Sequence, residues 1–132
     1  INHFSDFELV SAMNEAVVAN GEEFINAITC TKDGFYSQMK ENDLSRKLEL
    51  DVAHTFDDLK KLDVVGIDME SSVILTLGRL MGIKACVVTL TTVLENLKAT
   101  IEGEERTQAE AKLCKIVLDG ISIMERRKNN GY

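Results

Sequence analysis

The residues best placed to do chemistry are Asp68, Met69 and Glu70, followed by Ser71 and Ser72. Two carboxylates flank a methionine where the apolar run Val64 to Ile67 gives way to helical spacing of Val73, Ile74, Leu77, Leu80 and Met81. A carboxylate in the first turn of that helix stands at its positive end, where the dipole favours negative charge. Such a group can accept hydrogen bonds from hydroxyls and place negative potential beside a developing cation. Two further windows follow apolar runs. One is Thr31 to Lys40, with the adjacent aromatics Phe35 and Tyr36; the other is Thr91, Thr92 and Val93 with the loop to Lys98. In open α/β folds ligands bind outside the carboxyl ends of strands, which is where all three windows fall.

The elements that must position these windows are read from periodicity and caps. Ser5 and Glu8 form a capping box for a helix carrying Phe7, Leu9, Val10, Met13, Ala16 and Val17, stopping at Asn20 and Gly21. Phe24 to Cys30 reads as a buried strand, and a short helix is expected after Thr55, with Asp58 three residues on, to about Leu62. Val64 to Ile67 is a second strand, Glu70 to Met81 a helix stopped by Gly82, and Ala85 to Val93 a strand covered on both faces. Glu102 to Thr107 is polar; Ala109, Leu113, Ile116, Val117, Gly120, Ile121 and Met124 then mark a long helix ending in Arg126, Arg127 and Lys128. The alternation argues an α/β layer fold with the sheet inside.

Composition narrows the function. The 132 residues fit one domain, and 45% apolar with 28% charged is a globular mix. Fifteen basic against 22 acidic residues give a net charge of −7, which argues against a nucleic-acid or anionic-membrane reader. The amino end has no signal-peptide pattern and no run is long enough to span a bilayer, so a cytoplasmic location is expected. Cys30, Cys86 and Cys114 are far apart in apolar runs and read as reduced core residues. His3 and His54 have no partner at ligand spacing, and Asp51, His54, Asp57 and Asp58 read as a solvated helix start, so neither a metal nor an organic cofactor is expected.

Several segments resemble the nucleoside phosphorylases, on the uridine phosphorylase branch. Gly66-Ile67-Asp68-Met69-Glu70-Ser71-Ser72-Val73 resembles their Glu-Met-Glu-Ser segment, and Asp33-Gly34-Phe35-Tyr36 is similar to the Asp-x-Phe-Tyr segment carrying the base-facing aromatic. Gly82-Ile83-Lys84-Ala85-Cys86-Val87-Val88 resembles the Gly-Leu-x-Ala strand, and Lys112 to Ile121 the closing helix. The resemblance covers essentially this whole chain but only about the carboxyl half of the family's. It implies a partial three-layer αβα fold, with residues 1–132 as the carboxyl-terminal portion of a nucleoside phosphorylase domain.

For function, the resemblance implies reversible phosphorolysis of a pyrimidine nucleoside, with inorganic phosphate as co-substrate. Glu70 is then the catalytic carboxylate, holding the 2′ and 3′ hydroxyls, Met69 packs on the sugar, Asp68 holds the loop or senses the ribose indirectly, and Phe35 faces the base. Uridine phosphorylases carry Gln-x-Arg after the Phe-Tyr pair. With the loop one residue shorter here, Gln38 and Lys40 fill those places; without that gap they fall on Met39 and Glu41. Thr92 and Val93 stand where purine-directed relatives use an aspartate, so an apolar wall for a pyrimidine is implied there. The family's Gly-rich, arginine-bearing phosphate loop has no counterpart, so an amino-terminal segment or a homologous subunit is the expected partner, in a homodimer or an oligomer of dimers. The alternatives are a purine-directed phosphorylase or nucleosidase, and a noncatalytic regulatory or ligand-sensing subunit.

Overall fold

The structure is a computed structural model that describes residues 4–34, 38–94 and 98–131. Its elements run α1 (Phe7–Ala19), β1 (Ile28–Thr31), α2 (Asp43–Lys47), α3 (Val52–Lys61), β2 (Val64–Asp68), α4 (Ser71–Leu80), β3 (Val93–Leu94), β4 (Ala99–Thr100) and α5 (Gly103–Asn129). The fold is mixed α/β. Two compact units share it: Ile1–Ile25 with Leu75–Tyr132, and Asn26–Ile74.

In the first unit α1 lies against α5, and the sequence explains how closely. Ala12 and Ala16 stand one turn apart on α1, while Ile116, Gly120 and Ile123 occupy one face of α5; all five are buried. A Cβ on Gly120 would overlap Met13 Sδ and stand 2.9 Å from Met13 Cε. The end of the Met13 side chain therefore occupies the space that glycine leaves, and any side chain at position 120 would push it aside. Polar ties fasten the rim of this contact. Arg127 reaches Glu15 at 2.7 Å and Ser11 at 3.3 Å, Asn20 donates to Asp119 at 2.8 Å, and Lys115 donates to both Asn20 and Asp119 at 2.7 Å. Hydrogen bonds from Asn20 and Lys115 hold the Asp119 carboxyl below the usual carboxylate range.

The second unit is built on a parallel pair. Strand β1 lies beside β2 in the register Thr29↔Gly66, Cys30↔Ile67 and Thr31↔Asp68, with an irregularity between Ile28 and Thr29. A Cβ on Gly66 would come 3.1 Å from Thr29 Cγ2, so the small residue suits the close cross-strand approach. Helix α3 enters β2 through Leu62 and Asp63, the latter at φ 54°.

Several expectations need correction. The cap of α1 is Asp6, whose carboxylate accepts from Leu9 N–H at 3.0 Å; Ser5 does not cap, and Glu8 instead pairs with Lys84. The strand expected over Phe24 to Cys30 is paired only over Ile28–Thr31. Helix α3 starts at Val52 because Asp51 accepts from His54 N–H at 2.8 Å, a cap upstream of Thr55. Helix α2 was not anticipated; Asn42 and Ser45 cap it reciprocally, a box closed by serine in place of Glu or Gln. The polar stretch Glu102 to Thr107 is the entry to α5, steadied by Arg106–Glu110 at 2.7 Å and Gln108–Glu104 at 3.1 Å.

The largest departure concerns Ala85 to Val93. Only Val93–Leu94 enters a ladder, antiparallel with Ala99–Thr100. Upstream of it, Ala85 C=O accepts from Asp6 N–H at 2.7 Å, and no strand is formed. The stretch is rich in β-branched residues, but a strand needs a neighbour, and upstream of Val93 none is paired with it among the described residues. Among the described residues the sheets are β1-β2 and β3-β4, a mixed α/β arrangement consistent with part of the expected fold. Cys114, expected in the core, is exposed, while Cys30 and Cys86 are half-buried.

The contact at Gly120 gives the first prediction. Gly120→Ala should destabilise the chain by about 1–2 kcal/mol despite alanine's helix propensity, because Met13 must leave its place. Met13→Ala in the same background should restore part of that loss, read as a favourable coupling in denaturant unfolding of the two single variants and the double variant. Strict additivity would show that the two helices do not meet at this glycine.

Candidate functional site

The site is built where β2 turns into α4. Asp68 is the last residue of β2, and its Oδ1 accepts from Glu70 N–H at 3.1 Å and Ser71 N–H at 2.7 Å. One short carboxylate therefore satisfies amide donors at the start of α4 that have no carbonyl partner within the helix. The turn is fixed against β1 as well. Thr31 Oγ1–H donates to Asp68 Oδ1 at 3.1 Å, Ser72 N–H donates to Thr31 Oγ1 at 3.1 Å, and Lys32 N–H donates to Asp68 C=O at 2.8 Å.

This arrangement sets the charge state of Asp68. Burial pushes its carboxyl up, but the donors of Ser71, Glu70 and Thr31 together outweigh it and hold the group below the usual aspartate range. Oδ2 is enclosed and has no hydrogen-bond partner among the described residues. Ser71, directly after the turn, is buried.

Met69 and Glu70 are both exposed at this junction. The Glu70 carboxylate folds back to accept from Met69 N–H at 3.2 Å. Chemically the junction presents an exposed carboxylate and a thioether on a braced backbone turn, a geometry suited to gripping hydroxyl groups over an apolar surface. The far end of α4 is fixed too: Gly82 takes the left-handed conformation at φ 66°, and Ile83 N–H donates to Gly78 C=O at 2.8 Å.

The other expected residues fall as follows. Gln38 Oε1 accepts from Asp33 N–H at 3.2 Å, so its carbonyl is turned onto its own loop. Lys40 is exposed, and its carbonyl accepts from Asn42 Nδ2 at 2.8 Å. Among the described residues no hydrogen bond joins Gln38 or Lys40 to the turn from Asp68 to Ser71. Phe35 lies outside the described residues. Thr92 and Val93 belong to the other unit, where Thr92 C=O accepts from Ile101 N–H at 3.0 Å and Val93 pairs with Thr100. The segment of Asp51, His54 and Asp58 is accounted for locally: Asp51 caps α3, and Asp58 meets His54 at 3.2 Å and Lys61 at 3.1 Å. Thr31 was not singled out from the sequence, although it closes the strand that leads into the first window; that position was the available signal.

The sequence model of a family described as the phosphorylase superfamily matches residues 2–122, most of the chain. No curated protein and no solved structure matches.

The Asp68 turn generates the second prediction. Asp68→Ala should cost about 1–2 kcal/mol, as for loss of a helix cap, while Asp68→Asn, which keeps an acceptor oxygen, should cost less. Because the folded carboxyl is held below its unfolded value near 3.9, its contribution is complete above that value and is lost as pH falls through the folded one. Unfolding of the parent measured from pH 6 downward should therefore lose stability below about pH 4, and Asp68→Asn should flatten part of that fall. A carboxyl resonance of Asp68 titrating at or above the ordinary aspartate range would contradict this account.

Proposed function

This chain belongs to the phosphorylase superfamily, and from that premise we propose that it carries the ribose and base contacts of a uridine phosphorylase-like enzyme. Membership points to nucleoside phosphorylase chemistry, in which the anomeric carbon passes between a base and inorganic phosphate. Positive charge grows on the ribose in such a transfer. Glu70 supplies acceptors for the 2′ and 3′ hydroxyls and negative potential beside that charge, and Met69 covers the sugar's apolar side. The observation that carries this reading is the braced strand-to-helix junction, which holds an exposed Glu70 on a backbone tied by Asp68 to both α4 and β1.

Base recognition falls to Phe35, Gln38 and Lys40. An aromatic ring suits the flat face of a base, and a carboxamide offers both donor and acceptor to an imide edge. Gln38 Oε1 accepts from Asp33 N–H and, with a second lone pair, can still accept from an imide N–H. Thr92 and Val93 offer no acid for a purine leaving group, which agrees with uracil leaving as a stabilised anion.

Phosphate is supplied with contacts from a further amino-terminal segment or a homologous subunit, in a cytoplasmic homodimer or an oligomer of dimers. Two observations support this. Arg46, Arg106 and Arg127 are each engaged by carboxylates of this chain, at 2.6 Å to Asp43, 2.7 Å to Glu110 and 2.7 Å to Glu15. The apolar face of α4 is also uncovered, with Val73, Ile74, Leu77 and Leu80 between 48 and 78% exposed.

In the assembled enzyme Glu70→Gln should leave folding intact and lower kcat/KM by about 100- to 1,000-fold, the usual loss when one preorganised electrostatic contact is removed. Unchanged kcat/KM would make Glu70 a helix-start residue alone. Uridine should be cleaved faster than inosine in a phosphate-dependent assay, and the reverse order would overturn the pyrimidine assignment.

A further inference from the structure

Beside Glu70, the contact set singles out a residue that touches no substrate in the reading above. Thr31 Oγ1 is bonded on both sides, donating to Asp68 Oδ1 at 3.1 Å and accepting from Ser72 N–H at 3.1 Å. Its two partners lie on either side of Met69 and Glu70, one at the end of β2 and one in the first turn of α4. The hydroxyl thus clasps both ends of the segment that presents the carboxylate. The parallel register places Thr31 directly opposite Asp68, and the half-buried setting keeps water from substituting freely.

We propose that Thr31 is a positioning residue for Glu70, fixing through Asp68 and Ser72 where the carboxylate meets the ribose hydroxyls. The inference rests on the reading of Glu70 as the ribose-binding group and adds the device that holds it. The physical requirement is tight. Glu70 in the resting state bonds to the adjacent Met69 N–H, so its own side chain does not fix its place; the backbone beneath it must. Valine at position 31 keeps the β-branched shape but has neither the donor nor the acceptor, whereas serine keeps both.

The test compares Thr31→Val, Thr31→Ala and Thr31→Ser with Glu70→Gln in the assembled enzyme, on uridine and on 2′-deoxyuridine. Thr31→Val and Thr31→Ala should each lose about tenfold in kcat/KM on uridine, the scale of one hydrogen bond, with Thr31→Ser close to the parent. On 2′-deoxyuridine, which lacks one of the hydroxyls Glu70 grips, the loss should shrink to about threefold or less. A merely structural defect lowers the active fraction and so reduces both substrates equally. Amide exchange should quicken at Ser71 and Ser72 in the valine and alanine variants, with β1 otherwise protected. Equal losses on both nucleosides, or unchanged exchange at Ser72, overturn the role of Thr31 while a crippled Glu70→Gln leaves the ribose reading standing. A silent Glu70→Gln overturns the ribose reading and this role with it.

Discussion

A single carboxylate oxygen organises the candidate site. Asp68 Oδ1 receives a threonine hydroxyl from the neighbouring strand and two consecutive backbone amides from the helix that follows. Without it, those amides would lack their acceptor and the strand would lose a side-chain tie to β1, leaving the turn beneath Glu70 held by Ser72 N–H on Thr31 and Lys32 N–H on the Asp68 carbonyl. Charge matters as much as shape. A carboxylate that accepts several donors stays ionised at a lower pH than a solvated one, and the ionised form accepts the stronger hydrogen bonds. The enclosed Oδ2, which has no hydrogen-bond partner among the described residues, is the cost of bringing that group into the junction.

Elsewhere the molecule relies on close approach rather than on bulk. The buried apolar residues among those described are Ala12, Met13, Ala16, Val17, Val52, Ile116 and Ile123, and all but Val52 belong to α1 or α5. Two alanines and a glycine let these helices come near, and small side chains leave little area to bury, so the rim of charged and amide groups adds orientation. The described residues include no helix long and apolar enough to cross a membrane.

What the sequence disclosed follows from how far apart the deciding partners lie. Val64–Asp68 and Ser71–Leu80 were legible because their signals are local: an apolar run, a helical stripe and a glycine stop. The starts of α1 and α3 were displaced because an aspartate close to each hydroxyl candidate provides the cap, Asp6 accepting from Leu9 N–H and Asp51 from His54 N–H. The onset of α5 was missed because its first turns are stabilised by polar pairs, which leave no apolar period to see. The strand over Ala85 to Val93 failed for the opposite reason: its residues announce a strand, but pairing is a property of two segments. At the site, Glu70 was visible from its motif, whereas Thr31 emerges only from a bond across 37 residues of chain that the parallel register brings together.

The resting conformation of Glu70 carries one more consequence. Its Oε2 already accepts from Met69 N–H at 3.2 Å, which takes up one of the roughly four lone-pair sites of a carboxylate. The self-contact therefore orients the group without consuming it. In the proposed reading, a pair of neighbouring hydroxyls is met by lone pairs that the backbone amide leaves over, so the amide that steadies the carboxylate before the sugar arrives can stay bonded while the sugar is held.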